Sequence, residues 1–179
     1  MYELYTDGGY SIPADLGAFA YVILQDGKEL KRNAQKIAHE TSNRAEIKAI
    51  MEGVRFLPDK SHIKVYSDSQ YAIGVLSGKY KAKANTDLVY EYKKMVRTRG
   101  FKVEYRWVRG HNGNKWNELC DTLCNEAAGI DLNSHRKKDK DLSAMTYNDL
   151  MRLYKAVREE LYKRLNEEPK LLIEKQYGA

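Results

Sequence analysis

Apolar and polar residues alternate at the start of the chain, Tyr2, Leu4 and Thr6 against Glu3, Tyr5 and Asp7. This is the period of a β-strand, and Gly8-Gly9 breaks it, leaving Asp7 at the strand's rim. After an irregular Ile12-Pro13-Ala14-Asp15 connection, Gly17–Gln25 reads as a second strand. Asp26-Gly27 is a hairpin turn signal, and Lys28–Ala38 alternates weakly as a third strand returning beside the second. Three antiparallel strands therefore open the fold. Thr41-Ser42-Asn43 then precedes Arg44–Leu57, where Ala45, Ile47, Ala49, Ile50, Val54 and Leu57 supply a helical apolar face. Ser42 or Asn43 is the expected N-cap, which places Glu46 in or near the first turn. Pro58-Asp59 ends the helix.

Ile63–Ser67 is short, β-branched and bounded by turn residues, as in a strand at a sheet centre. It runs straight into Asp68-Ser69-Gln70, and Tyr71–Leu76 then resumes helical spacing. Asp68 thus falls where a strand's C-terminal end meets a helix N-terminus, the crevice in which open α/β sheets place ligands. Ser77–Lys83 is a basic linker around Tyr80. Leu88–Arg99 is helical, Gly100 ends it, and Phe101–Val108 alternates as a fifth strand. Arg109–Lys115 is a polar, glycine-containing loop, and Trp116–Ala128 is a helix carrying Asn117, Glu118 and Asp121 near its start. Trp107 and Trp116 read as packing residues.

The element order defines an α/β domain over residues 1–129. Residues 130–145 are charged and poor in apolar side chains, a linker, and 146–179 form a helical C-terminal extension with an apolar stripe of Leu150, Leu153, Val157, Leu161 and Leu165. That stripe suits helix–helix packing, with a protein partner or by self-association, better than nucleic-acid recognition. No internal repeat is visible.

Composition changes this picture modestly. At 179 residues, 42% hydrophobic and 31% charged, the chain fits one soluble domain with an appended helical piece. A formal charge of +6 mildly favours a polyanionic partner. Cys120 and Cys124, four apart on one helix, are badly spaced for a disulfide and too few for a zinc site. They read as free, half-buried thiols in a reducing cytoplasm. No basic leader with an apolar run opens the chain and no segment approaches about 18 consecutive apolar residues, which argues against export and membrane insertion.

Four acids stand in comparable settings: Asp7 at a strand rim, Glu46 early in a helix, Asp68 at a strand end and Asp121 near the start of a helix. If the three strands lie adjacent in one sheet, all four side chains can converge. Carboxylates within about 4–6 Å repel and partly neutralise unless cations hold them apart, so convergence implies metal. Oxygen-only ligands favour Mg²⁺, with Mn²⁺ able to replace it.

The chain resembles the type 1 ribonuclease H family. The resemblance is carried by Tyr5-Thr6-Asp7-Gly8-Gly9, Thr41-Ser42-Asn43-Arg44-Ala45-Glu46, Tyr66-Ser67-Asp68-Ser69-Gln70, Val108-Arg109-Gly110-His111 and Asn117-Glu118-Leu119-Cys120-Asp121, in family order over about residues 2 to 128. It implies an RNase H-like five-stranded mixed sheet, three antiparallel strands followed by two parallel to the first, flanked by helices. It also implies an endoribonuclease that hydrolyses the RNA strand of RNA–DNA hybrids with two metal ions, leaving a 5′-phosphate and a 3′-hydroxyl. Carried over by position, Asp7 bridges both ions, Asp121 completes the nucleophile-side ion, and Glu46 and Asp68 hold the leaving-group ion. Glu46 also reaches a 2′-hydroxyl, and His111 assists proton handling or product departure. The implied substrate contacts are Gly8, Thr41 at a phosphate, Ser42 where an Asn is usual, and Asn43 and Gln70 at the minor groove.

Two departures stand out. Tyr10–Leu16 replaces the family's Gly-Asn-Pro-Gly pattern, and Ser77–Ala84 is too short for the tryptophan-bearing basic helix with which some relatives grip the hybrid; Lys79, Lys81 and Lys83 around Tyr80 are candidate substitutes. Taken singly, Glu46 reads as a helix-dipole partner, Asp68 as an N-cap and His111 as an ordinary loop histidine. Competing functions are a transposase- or resolvase-like nuclease of the same fold and a non-catalytic hybrid-binding module, in which unfilled acids would repel the ligand. Met1 directly before the first strand reads as a free-standing enzyme rather than a reverse transcriptase's detached ribonuclease domain.

Overall fold

A computed structural model describes residues 1–11, 15–110 and 112–129. The expected linker and C-terminal helix lie outside the described residues, as does His111. Five strands, β1 (Tyr2–Ser11), β2 (Leu16–Gln25), β3 (Lys28–Ala38), β4 (His62–Ser67) and β5 (Lys102–Trp107), form one sheet in the order β3-β2-β1-β4-β5. The first three pair antiparallel, and β4 and β5 continue parallel to β1. The mixed sheet expected from the sequence is present, flanked by α1 (Ser42–Phe56), α2 (Gln70–Ser77), α3 (Thr86–Thr98) and α4 (Lys115–Ala128). Among the described residues, no helix is long and apolar enough to cross a membrane.

Both faces of β1 are covered, because the strand's period of two sends alternate side chains to opposite sides. Leu4 packs in a cluster with Ile47, Ile50 and Val54 of α1, whereas Tyr5 joins Cys120 and Cys124 of α4 on the other face. Cys120 and Cys124 are 0% and 5% exposed, so these free thiols are fully rather than half buried. The edge strand β3 is mostly exposed and lysine-rich, which discourages pairing with another sheet. Its hairpin to β2 turns through Asp26 and Gly27, at φ 53° and 75°; this double left-handed turn is what the Asp-Gly pair signals.

Two further sequence expectations need correction. Gly8-Gly9 does not end β1: pairing continues through Gly8↔Phe19 and Gly9↔Ala18 to Ser11↔Leu16. Gly8 is instead a point of close approach, since a Cβ there would lie 2.5 Å from the Ala45 carbonyl carbon and the Glu46 nitrogen. Likewise, the N-cap of α1 is neither Ser42 nor Asn43. Thr41 holds that place, its hydroxyl accepting from the Arg44 amide at 3.3 Å, while the Ser42 hydroxyl donates to the Tyr10 carbonyl at 3.4 Å. The earlier cap leaves Glu46 beyond the first turn, out of range of the helix-end charge and directed to the sheet.

Candidate active site

The parallel register pairs Tyr5 of β1 with Tyr66 of β4, and their rings stack at 4.5 Å. Two residues further along the chain from each, Asp7 of β1 and Asp68 just past the end of β4 bring their carboxylates together. Asp68 is the first residue past β4, and Ser69 rather than Asp68 caps α2, accepting from the Ala72 amide at 3.2 Å. The Asp68 carboxylate is therefore not consumed by the helix. Glu46 enters from α1 over Gly8. One carboxylate oxygen from each of Asp7, Glu46 and Asp68 lies within 4.8 Å of the other two.

This arrangement is costly without a counterion. Burial, then the charges of Asp7 and Asp68, push the Glu46 carboxyl well above its ordinary range, opposed only in part by the Gly8 amide. Glu46 Oε2 is buried with no hydrogen-bond partner among the described residues. The cations flanking Glu46 turn elsewhere: Arg44 pairs with Glu40 and Asp87, and Lys48 with Glu40. An orphaned buried oxygen among three carboxylates fits a small, hard divalent cation.

Asp121 is not part of this group of three. It is half-buried on α4, and its Oδ1 accepts from Asn125 Nδ2, one turn on, at 3.0 Å. Its charge reaches the cluster's underside, where it acts with that of Asp7 on Cys124. Of the expected substrate contacts, Gly8 is buried beneath α1. Thr41, Ser42 and Asn43 are exposed at the start of α1, and Gln70 at the start of α2. Lys79, Lys81 and Lys83 are exposed between α2 and α3.

Two residues at Asp68 escaped the sequence reading. Trp107, expected to be a packing residue, is 51% exposed, and its Nε1 donates to the Asp68 carbonyl at 2.9 Å. Gly110 passes so close that a Cβ there would lie 2.6 Å from Asp68 Oδ2. The placement is decided by register, which the sequence spans did not show: β4 and β5 have equal length and end together at Ser67↔Trp107, which sets the last side chain of β5 beside the first residue after β4. Trp116 is a packing residue as expected, against the cluster around Tyr5. Beyond Trp107 a cavity of about 260 Å³ is lined by Gln70, Ile73, Gly74, Lys79 and Tyr80. Tyr80 packs onto α2 at Gly74, where an added Cβ would meet its ring at 2.0 Å.

Sheet order and carboxylate cluster together define an α/β domain whose rim is suited to a divalent cation. Comparison with known proteins then resolves the family. The RNase H family model matches residues 1–129. Ribonuclease H of Campylobacter jejuni is 35% identical over 134 residues, covering 70% of this chain and 90% of that protein. Ribonuclease H of Idiomarina loihiensis is 35% identical over 142 residues, covering 70% and 87%. Among solved structures, the N-terminal RNase H domain of a Mycobacterium tuberculosis protein, fused to maltose-binding protein, aligns with a TM-score of 0.60 and 22% identity, over 72% of this chain and 93% of that one; it supports the fold. The chain belongs to the RNase H family and is an enzyme, a nuclease of the hydrolase class.

Proposed function

We propose that the protein is an endonuclease that cleaves the RNA strand of RNA–DNA hybrids, leaving 5′-phosphate and 3′-hydroxyl ends, with two divalent ions, Mg²⁺ or Mn²⁺. The observation that carries this reading is the group of Asp7, Glu46 and Asp68 with its unpartnered buried oxygen. The relatives' names, ribonuclease H, point the same way.

Asp7, Glu46, Asp68 and Asp121 are the residues that would hold the ions. Bound there, divalent cations make a water nucleophilic near neutral pH and offset charge on the departing oxygen. Glu46, rigidly seated over Gly8, also accepts from a ribose 2′-hydroxyl and so favours RNA over DNA. His111 assists proton handling or product departure, a smaller contribution than charge stabilisation. Thr41, Ser42, Asn43 and Gln70, exposed at two helix starts, meet the duplex beside the cluster. The buried free thiols suit a reducing compartment, the cytoplasm.

The test is a nicking assay on labelled RNA–DNA, RNA–RNA and DNA–DNA duplexes, with Mg²⁺ and with chelator. Only the RNA strand of the hybrid is cut, only with metal, and Asp7→Asn abolishes cutting. His111→Ala slows turnover but leaves it measurable. Cutting of DNA–DNA would replace this reading by a transposase- or resolvase-like one.

A further inference from the structure

Helix α3 has two unlike faces. Leu88, Val89 and Tyr92 are buried against the body of the domain. Its two acids turn toward α1 and are paired there, Asp87 with Arg44 and Glu91 with Arg55. What remains on the outside is Tyr90, Lys93, Lys94 and Arg97, at the i, i+3, i+4 and i+7 positions of one stripe, and these four line a depression of about 290 Å³. Tyr90 is 70% exposed, the most exposed of the domain's large apolar side chains among the described residues. An aromatic ring amid three cations, with the helix's own acids withdrawn, is not explained by packing within the domain.

This stripe is continuous with the candidate active site. The Trp107 indole is fixed to the Asp68 carbonyl and forms one wall of the cavity shared with Gln70, Lys79 and Tyr80. Lys79 Nζ lies 5.7 Å from the centre of the Tyr80 ring. Lys79 follows Gly78, and a Cβ on Gly78 would sit 3.7 Å from Lys93 Nζ. A cationic and aromatic path therefore leads from the residue beside the carboxylates, across the end of α2, onto the outer face of α3. Tyr90 to Arg97 spans about 10 Å of helix axis, roughly three phosphate-to-phosphate rises along one strand.

We infer that the outer face of α3 binds the phosphate backbone of the hybrid duplex beyond the cleavage point, so that this chain grips its substrate through Lys93, Lys94 and Arg97 together with Lys79. The inference rests on the hybrid-cleaving reading above and adds to it where the duplex flank lies. The cations neutralise phosphates and release counterions, and Tyr90 supplies an amphipathic contact at the N-terminal end of the stripe.

The experiment measures binding of the full chain to a fluorescein-labelled RNA–DNA hybrid in chelator, by anisotropy, across a salt series. Lys93→Gln/Lys94→Gln/Arg97→Gln is compared with the charge-matched Lys28→Gln/Lys31→Gln/Lys36→Gln on β3, the far edge of the sheet. The α3 variant is expected to flatten the dependence of log K on log salt by about two to three and weaken binding at low salt by about tenfold or more. The β3 variant keeps the parent slope. Equal flattening by both variants would reduce the effect to general surface charge and overturn the inference, as would a parent-like slope in the α3 variant. Absence of hybrid cleavage by the parent enzyme would instead overturn the proposed function. A parent that cuts hybrid while the α3 variant binds like it overturns the docking surface alone.

Discussion

The indole Nε1 of Trp107 donates to the backbone carbonyl of Asp68 at 2.9 Å, tying the end of β5 to the residue that leaves β4. The tryptophan is half exposed, so its packing contributes less than a buried ring would, and its value lies in this bond. Trp107→Phe keeps a ring and removes the donor. The expected loss in stability is about 1 kcal/mol or less, while affinity for Mg²⁺ falls by about threefold to tenfold because the Asp68 backbone is freed. Titration calorimetry with Mg²⁺, beside thermal melts, separates the two effects. Trp116→Phe is the control, and equal metal affinity in parent and Trp107→Phe would remove Trp107 from the site.

Gly8 and Gly9 are adjacent in β1 yet differ completely in their surroundings. A Cβ on Gly8 would press on backbone atoms of Ala45 and Glu46 at 2.5 Å, whereas one on Gly9 would meet nothing within 4 Å. Gly8→Ala is therefore expected to cost about 1–3 kcal/mol as α1 is forced off the sheet, and to carry Glu46 out of the cluster with it. Gly9→Ala is expected to stay within about 0.5 kcal/mol. Urea unfolding of the two variants checks this, and similar midpoints would mean that α1 yields freely.

Most of the fold was legible because its elements are punctuated by residues with one physical use, such as Asp26-Gly27 in the hairpin and Gly100 after α3. The Gly8-Gly9 pair was misread for a definite reason. Glycine in a strand pattern signals either a turn or a close approach, and only the helix packed above it decides which. The cap of α1 slipped by one or two residues because Thr41, Ser42 and Asn43 are all competent caps and local sequence does not rank them. Asp7, Glu46 and Asp68 were legible as candidates, but their meeting depends on β4 lying beside β1, a long-range pairing. The Trp107 bond depends further on β4 and β5 ending together. Exposure of Trp107 has no sequence signature, since tryptophan at a strand end is as compatible with a core.

The metal-free protein should resist a rise in pH less well than its Glu46→Gln variant. Glu46 has a carboxyl raised well above the ordinary 4.5 in the folded state, so the folded state holds the proton more tightly than the unfolded chain. The stabilisation from protonated Glu46 is complete below about 4.5 and is lost as pH rises through the folded-state value. In chelator at neutral pH, Glu46→Gln should melt several degrees above the parent, with the gap closing toward pH 4. Saturating Mg²⁺ should reverse the order at neutral pH, since the parent alone keeps the full carboxylate set. Scanning calorimetry from pH 4 to 8 tests the sign, and a Gln variant less stable than the parent at neutral pH without metal would contradict it.

The two thiols report on opening of the face beneath Asp7. Cys120 and Cys124 are buried, and burial together with the Asp7 charge pushes both far above the usual thiol range, so neither is a reactive thiolate in the folded protein. Cys124 Sγ also donates to the Asp7 carbonyl at 3.3 Å. Alkylation by iodoacetamide at pH 8 is therefore expected to wait for opening of α4 from the sheet, and to be far slower than for the urea-unfolded chain. If that opening scatters the carboxylates, Mg²⁺ at about 100 times its dissociation constant should slow labelling about a hundredfold, because only the closed state binds metal. If α4 peels away while Asp7, Glu46 and Asp68 stay assembled, Mg²⁺ should leave the labelling rate nearly unchanged. Mass spectrometry of the labelled cysteines with and without metal distinguishes these outcomes, and rapid labelling of the native protein under both conditions would show that the face is not closed at all.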